Sequence, residues 1–184
     1  MRIERLKRHH DVRVQWVHFP LHPDTPEEGR PLAELFAGRG YDVKTMHAQM
    51  LKRMQAEGLP YGERSMTYNS RLAQELGKWA DFQDRGEGIH DALFRAYFVD
   101  ARNIADPEVL TQIAQGVGLP GEQVREVLQT RSFKAAVDED WSKAARYGIT
   151  GVPTFVAGRY SLVGAQPYEL LERLVQAAGK TPLP

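Results

Sequence analysis

The stretch Gly148-Ile149-Thr150-Gly151-Val152-Pro153-Thr154-Phe155 marks an abrupt change of period in this chain. Before it, from Pro31 to Gly148, apolar residues recur at helical spacing and no run reads convincingly as a strand. After it, Thr154 to Ala157 and Tyr160 to Val163 read as two short strands joined by Gly158-Arg159, a two-residue turn of hairpin type. Pro167 opens a last helix with Leu170, Leu171, Leu174 and Val175 inward, Gly179 ends it, and Lys180 to Pro184 reads as a loose tail.

At the other end, Ile3 to His10 reads as the tail of a helix. Val12 to Phe19 reads as a strand: Val12, Val14 and Trp16 alternate with Arg13 and Gln15, while Val17 and Phe19 make the second face partly apolar. Burial on both faces predicts an inner position in a layered sheet. Pro20, Pro23, Pro26 and Gly29 then break the run. The layout is that of a sheet domain, residues 1–29 and 149–184, interrupted by a helical domain, residues 30–148. Within the helical block, Asp106-Pro107-Glu108 is a helix start of the expected kind, a capping aspartate with proline at the first helical position. The cluster Met46, Met50, Met54 and Met66 would suit an adaptable peptide groove, but a methionine stripe at helical spacing reads as core, and so do Trp79, Phe94, Tyr97 and Phe98. The Asp138-Glu139-Asp140 run reads as a solvated face, and His47 and His90 as solvated or capping.

Composition narrows the chemistry. Lysine plus arginine is 24 and aspartate plus glutamate is 24 over 184 residues, a balance that argues against nucleic acid as a partner. No apolar run reaches the roughly 18 residues of a membrane span. Met1 to Asp11 has no apolar core of a signal peptide, which predicts a cytoplasmic location. The cysteine count is zero, so this chain holds no disulfide, no thiolate metal site and no thiol nucleophile. His18 and His22 flank Phe19-Pro20-Leu21, but without a neighbouring carboxylate or cysteine they predict a strand-end hydrogen bond and no metal site. No phosphate loop or serine elbow is present.

Several segments together resemble the DsbA family of thioredoxin-fold proteins, in its FrnE-like branch near 2-hydroxychromene-2-carboxylate isomerases and kappa-class glutathione transferases. They are Val14 to Pro23, Asn69-Ser70-Arg71-Leu72-Ala73, Ala92 to Phe98 followed by Asn103-Ile104-Ala105-Asp106, Gly148 to Phe155, and Val163-Gly164-Ala165-Gln166-Pro167. The resemblance implies an α/β thioredoxin-like fold with a large all-helical insertion. It also implies a cis Val152–Pro153 bond and thiol-disulfide oxidoreduction on a protein or small-thiol substrate.

In that family a first strand and a Cys-Pro-x-Cys helix start precede the segment at which this chain begins, and Met1 falls inside the family's first helix. The absent strand would sit centrally, between the strand at Val12 to Phe19 and the strand after Pro153. Its loss would leave backbone groups on both neighbours unpaired, at roughly 1–3 kcal/mol for each one buried. Either the missing segment lies upstream of Met1 or another segment, from a second chain, fills the gap.

No residue of this chain is therefore assigned a catalytic role, no metal is expected and no cofactor, with glutathione a candidate substrate. Val152, Pro153 and Thr154, with Phe19 and Asn69, are expected to border the site and position a substrate. Asn69 has a second reading as the cap of the helix beginning at Ser70. Two alternatives stay open: a glutathione-dependent isomerase or transferase that uses serine in place of the first cysteine, and a redox-inactive peptide-binding module. An open strand edge favours a homodimer.

Overall fold

The computed structural model describes residues 2–38, 40, 42–84 and 86–179; the tail read at Lys180 to Pro184 lies outside them. The chain divides into two compact units, residues 1–21 with 140–184, and residues 22–139.

The second unit is helical. In chain order it contains α2 (Leu32–Leu35), α3 (Val43–Ala56), α4 (Arg71–Ala80), α5 (Ile89–Phe98), α6 (Pro107–Gly116) and α7 (Gly121–Thr130). The helix α8 (Lys134–Arg146) begins within it. Local chemistry sets the starts. Asp106 accepts hydrogen bonds from the N–H groups of Glu108 and Val109 with Pro107 behind it, and Asp42 does the same for Thr45. Leu76, Ile89, Leu110 and Val124, one from each of four helices, are wholly buried in a common core with Trp79, Ala80 and Ala114.

Two readings of this block are corrected. Arg30–Pro31 (β1) and Met66–Thr67 (β2) form a two-residue antiparallel ladder in a stretch that reads as helix and loop. So short a ladder leaves no periodicity to detect. Gly29 enters it at φ +89°, and a side chain there would collide with the Tyr68 ring. The helix α3 contributes no buried residue, and Met50 is 40% exposed, so the methionine stripe is not core. Phe94, on α5, is also exposed.

The core of this unit encloses a charge. Glu75 lies in the apolar stripe of α4 beside Leu72, Leu76 and Trp79 and is inaccessible to solvent. Its two oxygens accept from Arg71 Nε at 2.7 Å and from Arg131 Nε and Nη2 at 2.7 and 2.8 Å. Arg71 Nη2 also donates to the Lys134 carbonyl and to Asp138. Arg131, the residue ending α7, adopts φ +53°. Asp138, expected to be merely solvated, is a member of this network and also binds Lys134 Nζ at 2.8 Å.

The first unit contains α1 (Arg2–His9), β3 (Thr154–Ala157), β4 (Tyr160–Val163) and α9 (Tyr168–Gly179). The hairpin pairs Thr154 with Val163 through Ala157 with Tyr160 across Gly158-Arg159, in the register that the sequence predicts. A small core joins Leu6 of α1 with Tyr168 and Leu171 of α9, and Ile3, Val12, Phe155, Leu162 and Val175 pack against it.

Val12 to Phe19 forms no strand, and this is the main correction. Val14, Trp16 and Val17 are 40%, 43% and 38% exposed, against the two-sided burial that the pattern predicts. A strand exists only as a member of a ladder, and among the described residues none pairs with this run; β3 likewise has β4 as its only ladder partner.

Burial by itself would raise the Glu75 carboxyl, but its hydrogen bonds to Arg131 and Arg71 outweigh that and hold it below its ordinary 4.5. A carboxylate depressed on folding contributes stability above its unfolded value and loses it as pH falls through its folded value. Glu75→Gln is expected to lower the unfolding free energy by about 3 kcal/mol at neutral pH, because two guanidiniums lose their counter-ion. Urea titrations from pH 7 downward check both points. The wild type should lose stability below about pH 4.5, and the variant should lose less over the same window.

Candidate functional site

The loop that closes the first unit is built from its helix end. At the end of α8 the Ile149 N–H reaches back to the Ala144 carbonyl at 3.0 Å and the Gly148 N–H to Ala145 at 2.9 Å. With Gly148 at φ +65°, this is a Schellman cap, which stops the helix and turns the chain outward. The loop from Thr150 to Pro153 is then held at two points. Thr154 Oγ1 donates to the Gly151 carbonyl at 2.7 Å, and the Gly164 N–H donates to the Pro153 carbonyl at 2.8 Å. The Val152–Pro153 peptide is cis. Val152 is 49% exposed, Pro153 is exposed and Thr154 is half-buried. Neither the N–H nor the C=O of Val152 has a hydrogen-bond partner among the described residues. The loop, held at these two points, thus has one unpaired donor and one unpaired acceptor on a residue that is itself exposed.

Phe19 lies at the end of the extended run in the same unit and is half-buried, with its carbonyl accepting from the Leu21 N–H. The run is anchored next door. The Asp140 carboxylate, 6% exposed, accepts from the His18 N–H at 3.1 Å. Asp140 thus departs from the solvated role that its acidic run predicts: an aspartate on α8 does part of the pairing that a neighbouring strand would do.

Asn69 belongs to the second unit. Its amide nitrogen donates to the Thr25 carbonyl at 2.7 Å and the Pro23 carbonyl at 3.3 Å, and its oxygen accepts from the Arg71 N–H at 2.9 Å. The side chain clamps the Pro23–Thr25 loop to the start of α4, in keeping with the capping reading. His90, expected to be solvated or capping, is instead buried and bonded through Nε2 to Asp81 at 2.8 Å. The signal for it was present: His90 opens a helix whose Ile89 and Leu93 neighbours are core.

No cluster of three or more histidine, aspartate or glutamate side chains is arranged to hold a metal ion among the described residues. No helix there is long and apolar enough to cross a membrane. With no cysteine in the sequence, the loop has no thiol nucleophile of this chain beside it.

Two substitutions test this construction. Gly148→Ala forces a left-handed backbone on a residue with a Cβ and should cost about 1 kcal/mol. Asp140→Ala leaves the His18 N–H without its carboxylate and should cost about 1–3 kcal/mol. Amide hydrogen exchange should then be faster at His18 in the second variant and at Gly148 and Ile149 in the first.

Comparison with known proteins follows the same lines. A family model described as a DSBA-like thioredoxin domain matches residues 1–176. The crystal structure of a probable DsbA oxidoreductase from Streptomyces coelicolor is 34% identical with a TM-score of 0.80, covering 89% of this chain and 75% of that one. The uncharacterized protein YwbO of Bacillus subtilis is 27% identical over 166 residues, 90% of this chain and 82% of that protein. A 2-hydroxychromene-2-carboxylate isomerase shares the fold at 15% identity and a TM-score of 0.71, over 97% of this chain and 86% of that one. The match over residues 1–176 places this chain in the family of DSBA-like thioredoxin domains.

Proposed function

We propose that this chain is the substrate-positioning part of a thiol-disulfide oxidoreductase, and that the loop Thr150 to Thr154 aligns an extended thiol- or disulfide-bearing polypeptide. The observation that carries the reading is the unpaired N–H and C=O of Val152, exposed on a loop fixed by Thr154 and Gly164. An extended peptide recognised through its main chain needs one donor and one acceptor side by side. In exchange chemistry a thiolate attacks a disulfide sulfur and displaces the other sulfur as a thiolate. None of the 184 residues is a cysteine, so the attacking thiolate is supplied from outside this sequence.

The absence of cysteine also favours a second reading, a peptide-binding module that keeps the loop and performs no redox step. Val152, Pro153 and Thr154 are the contact residues in both. Phe19 is a peripheral candidate in the same unit, and Asn69 acts through the Thr25 loop. A cytoplasmic setting is the proposed location, since a chain without cysteine has no structural disulfide that needs an oxidising compartment. The ladder-free side of β3 is the feature that favours pairing with a second copy.

The test is insulin reduction together with binding of S-alkylated insulin B chain to the 184-residue protein. The expected result is no turnover and a saturable shift of the Val152 and Thr154 amide resonances. Backbone N-methylation scanned along the B chain should weaken binding about tenfold at the one position that pairs with Val152, the equivalent of one hydrogen bond. Turnover would overturn the account of the chemistry. Binding that leaves Val152 and Thr154 unshifted would overturn the account of the site.

A further inference from the structure

We propose that Arg64 forms a carboxylate-binding subsite in the helical unit. Its head group is fixed from three sides. Arg64 Cζ lies 4.4 Å from the ring centre of Tyr97 and 5.3 Å from that of Phe98. Nη1 donates to the Met66 carbonyl at 3.1 Å and to the Tyr97 hydroxyl at 2.8 Å. That hydroxyl is fixed in turn by Thr67 Oγ1 at 2.9 Å, on a residue 4% exposed.

The charge so fixed is not neutralised. Among the described residues no carboxylate lies within ion-pair distance of Arg64, Nη2 has no hydrogen-bond partner, and Nε is buried without an acceptor. A half-buried guanidinium without a counter-ion favours binding an anion. Space for one is beside it: a cavity of about 50 Å³ lined by Arg64, Ser65, Met66, Tyr68, Tyr97 and Ala101. Ala101 holds its part of that wall at φ +52°.

The chemistry of the walls selects the anion. One guanidinium balances one negative charge, and the site has no second cation for a phosphate dianion. Nη2, a donor left without a partner, can meet one carboxylate oxygen, and hydroxyl-bearing Ser65 and Tyr68 are among the lining residues. The cavity admits a carboxylate group and little beyond it. The same chemistry has two sources, a free small organic acid or an aspartate or glutamate side chain on a polypeptide. This inference does not rest on the loop at Val152, and either one stands or falls without the other.

The experiment titrates 15N-labelled protein with sodium acetate at constant ionic strength, balanced with sodium chloride. It follows the Arg64 Nε–Hε resonance and the amides of Ser65, Met66 and Ala101. The expected result is a saturable shift of these signals in the millimolar range, with chloride alone leaving them in place. Arg64→Gln should abolish saturation, and Arg64→Lys, which keeps the charge and loses the guanidinium held over Tyr97 and Phe98, should weaken it severalfold. The wild-type Arg64 Nε–Hε signal serves if the glutamine variant fails to fold. A second arm uses a short N-acetylated, C-amidated peptide with one glutamate. Affinity at least tenfold above acetate assigns the site to a polypeptide carboxylate, and equal affinity assigns it to free acids. A drift that never saturates with either probe, or saturation undiminished in Arg64→Gln, overturns the proposal.

Discussion

Two guanidiniums close on the carboxylate of Glu75 from which water is excluded, and the arrangement of the helical unit depends on that contact. A buried carboxylate is tolerable only where its oxygens are occupied, and here one arginine comes from its own helix and the other from the end of α7. Arg71 carries the constraint onward to the Lys134 carbonyl and Asp138, which ties the start of α8 to α4. It also carries it backward. Asn69, just before α4, binds the first helical N–H and the carbonyls of Pro23 and Thr25, so the loop that leads into the helical unit is located by the same helix.

Much of this was legible in the sequence, and the reasons are local. Helices with a capping aspartate or a terminal glycine announce themselves within four residues, as at Asp106 and Gly148. The hairpin at Gly158-Arg159 does so as well. What was not legible depends on partners far away in the chain. Val12 to Phe19 has every local property of a strand, and its state is decided by whether a neighbour is hydrogen-bonded to it. The methionine stripe of α3 has a helical period, but period does not say whether anything packs on the stripe. Glu75 left a trace, a carboxylate inside the run Leu72, Leu76 and Trp79, where a charge signals a partner that the sequence does not name.

The candidate site divides along the same line. The loop at Val152 follows from a glycine-capped helix end, a proline and a hairpin, all adjacent in sequence. Asn69 was recognised as important, and its role as a clamp became clear only from the carbonyls it binds. Arg64 and Asp140 gave no local sign, because each is defined by a residue far away in the chain, and His90 showed its burial through Ile89 and Leu93 but not its partner Asp81. The chain belongs to the family of DSBA-like thioredoxin domains and holds the loop at Val152 in a sequence without cysteine.

The two unpaired groups of Val152 also set what a site of this kind can distinguish. Amide and carbonyl are the same in every residue but proline, so a contact made through them carries almost no sequence information. They are, however, already engaged wherever a polypeptide has formed its helices and ladders. On the proposed reading, a loop that binds main chain selects by folding state: it would pass over native proteins of any composition and hold segments that have not yet found, or have lost, their own partners.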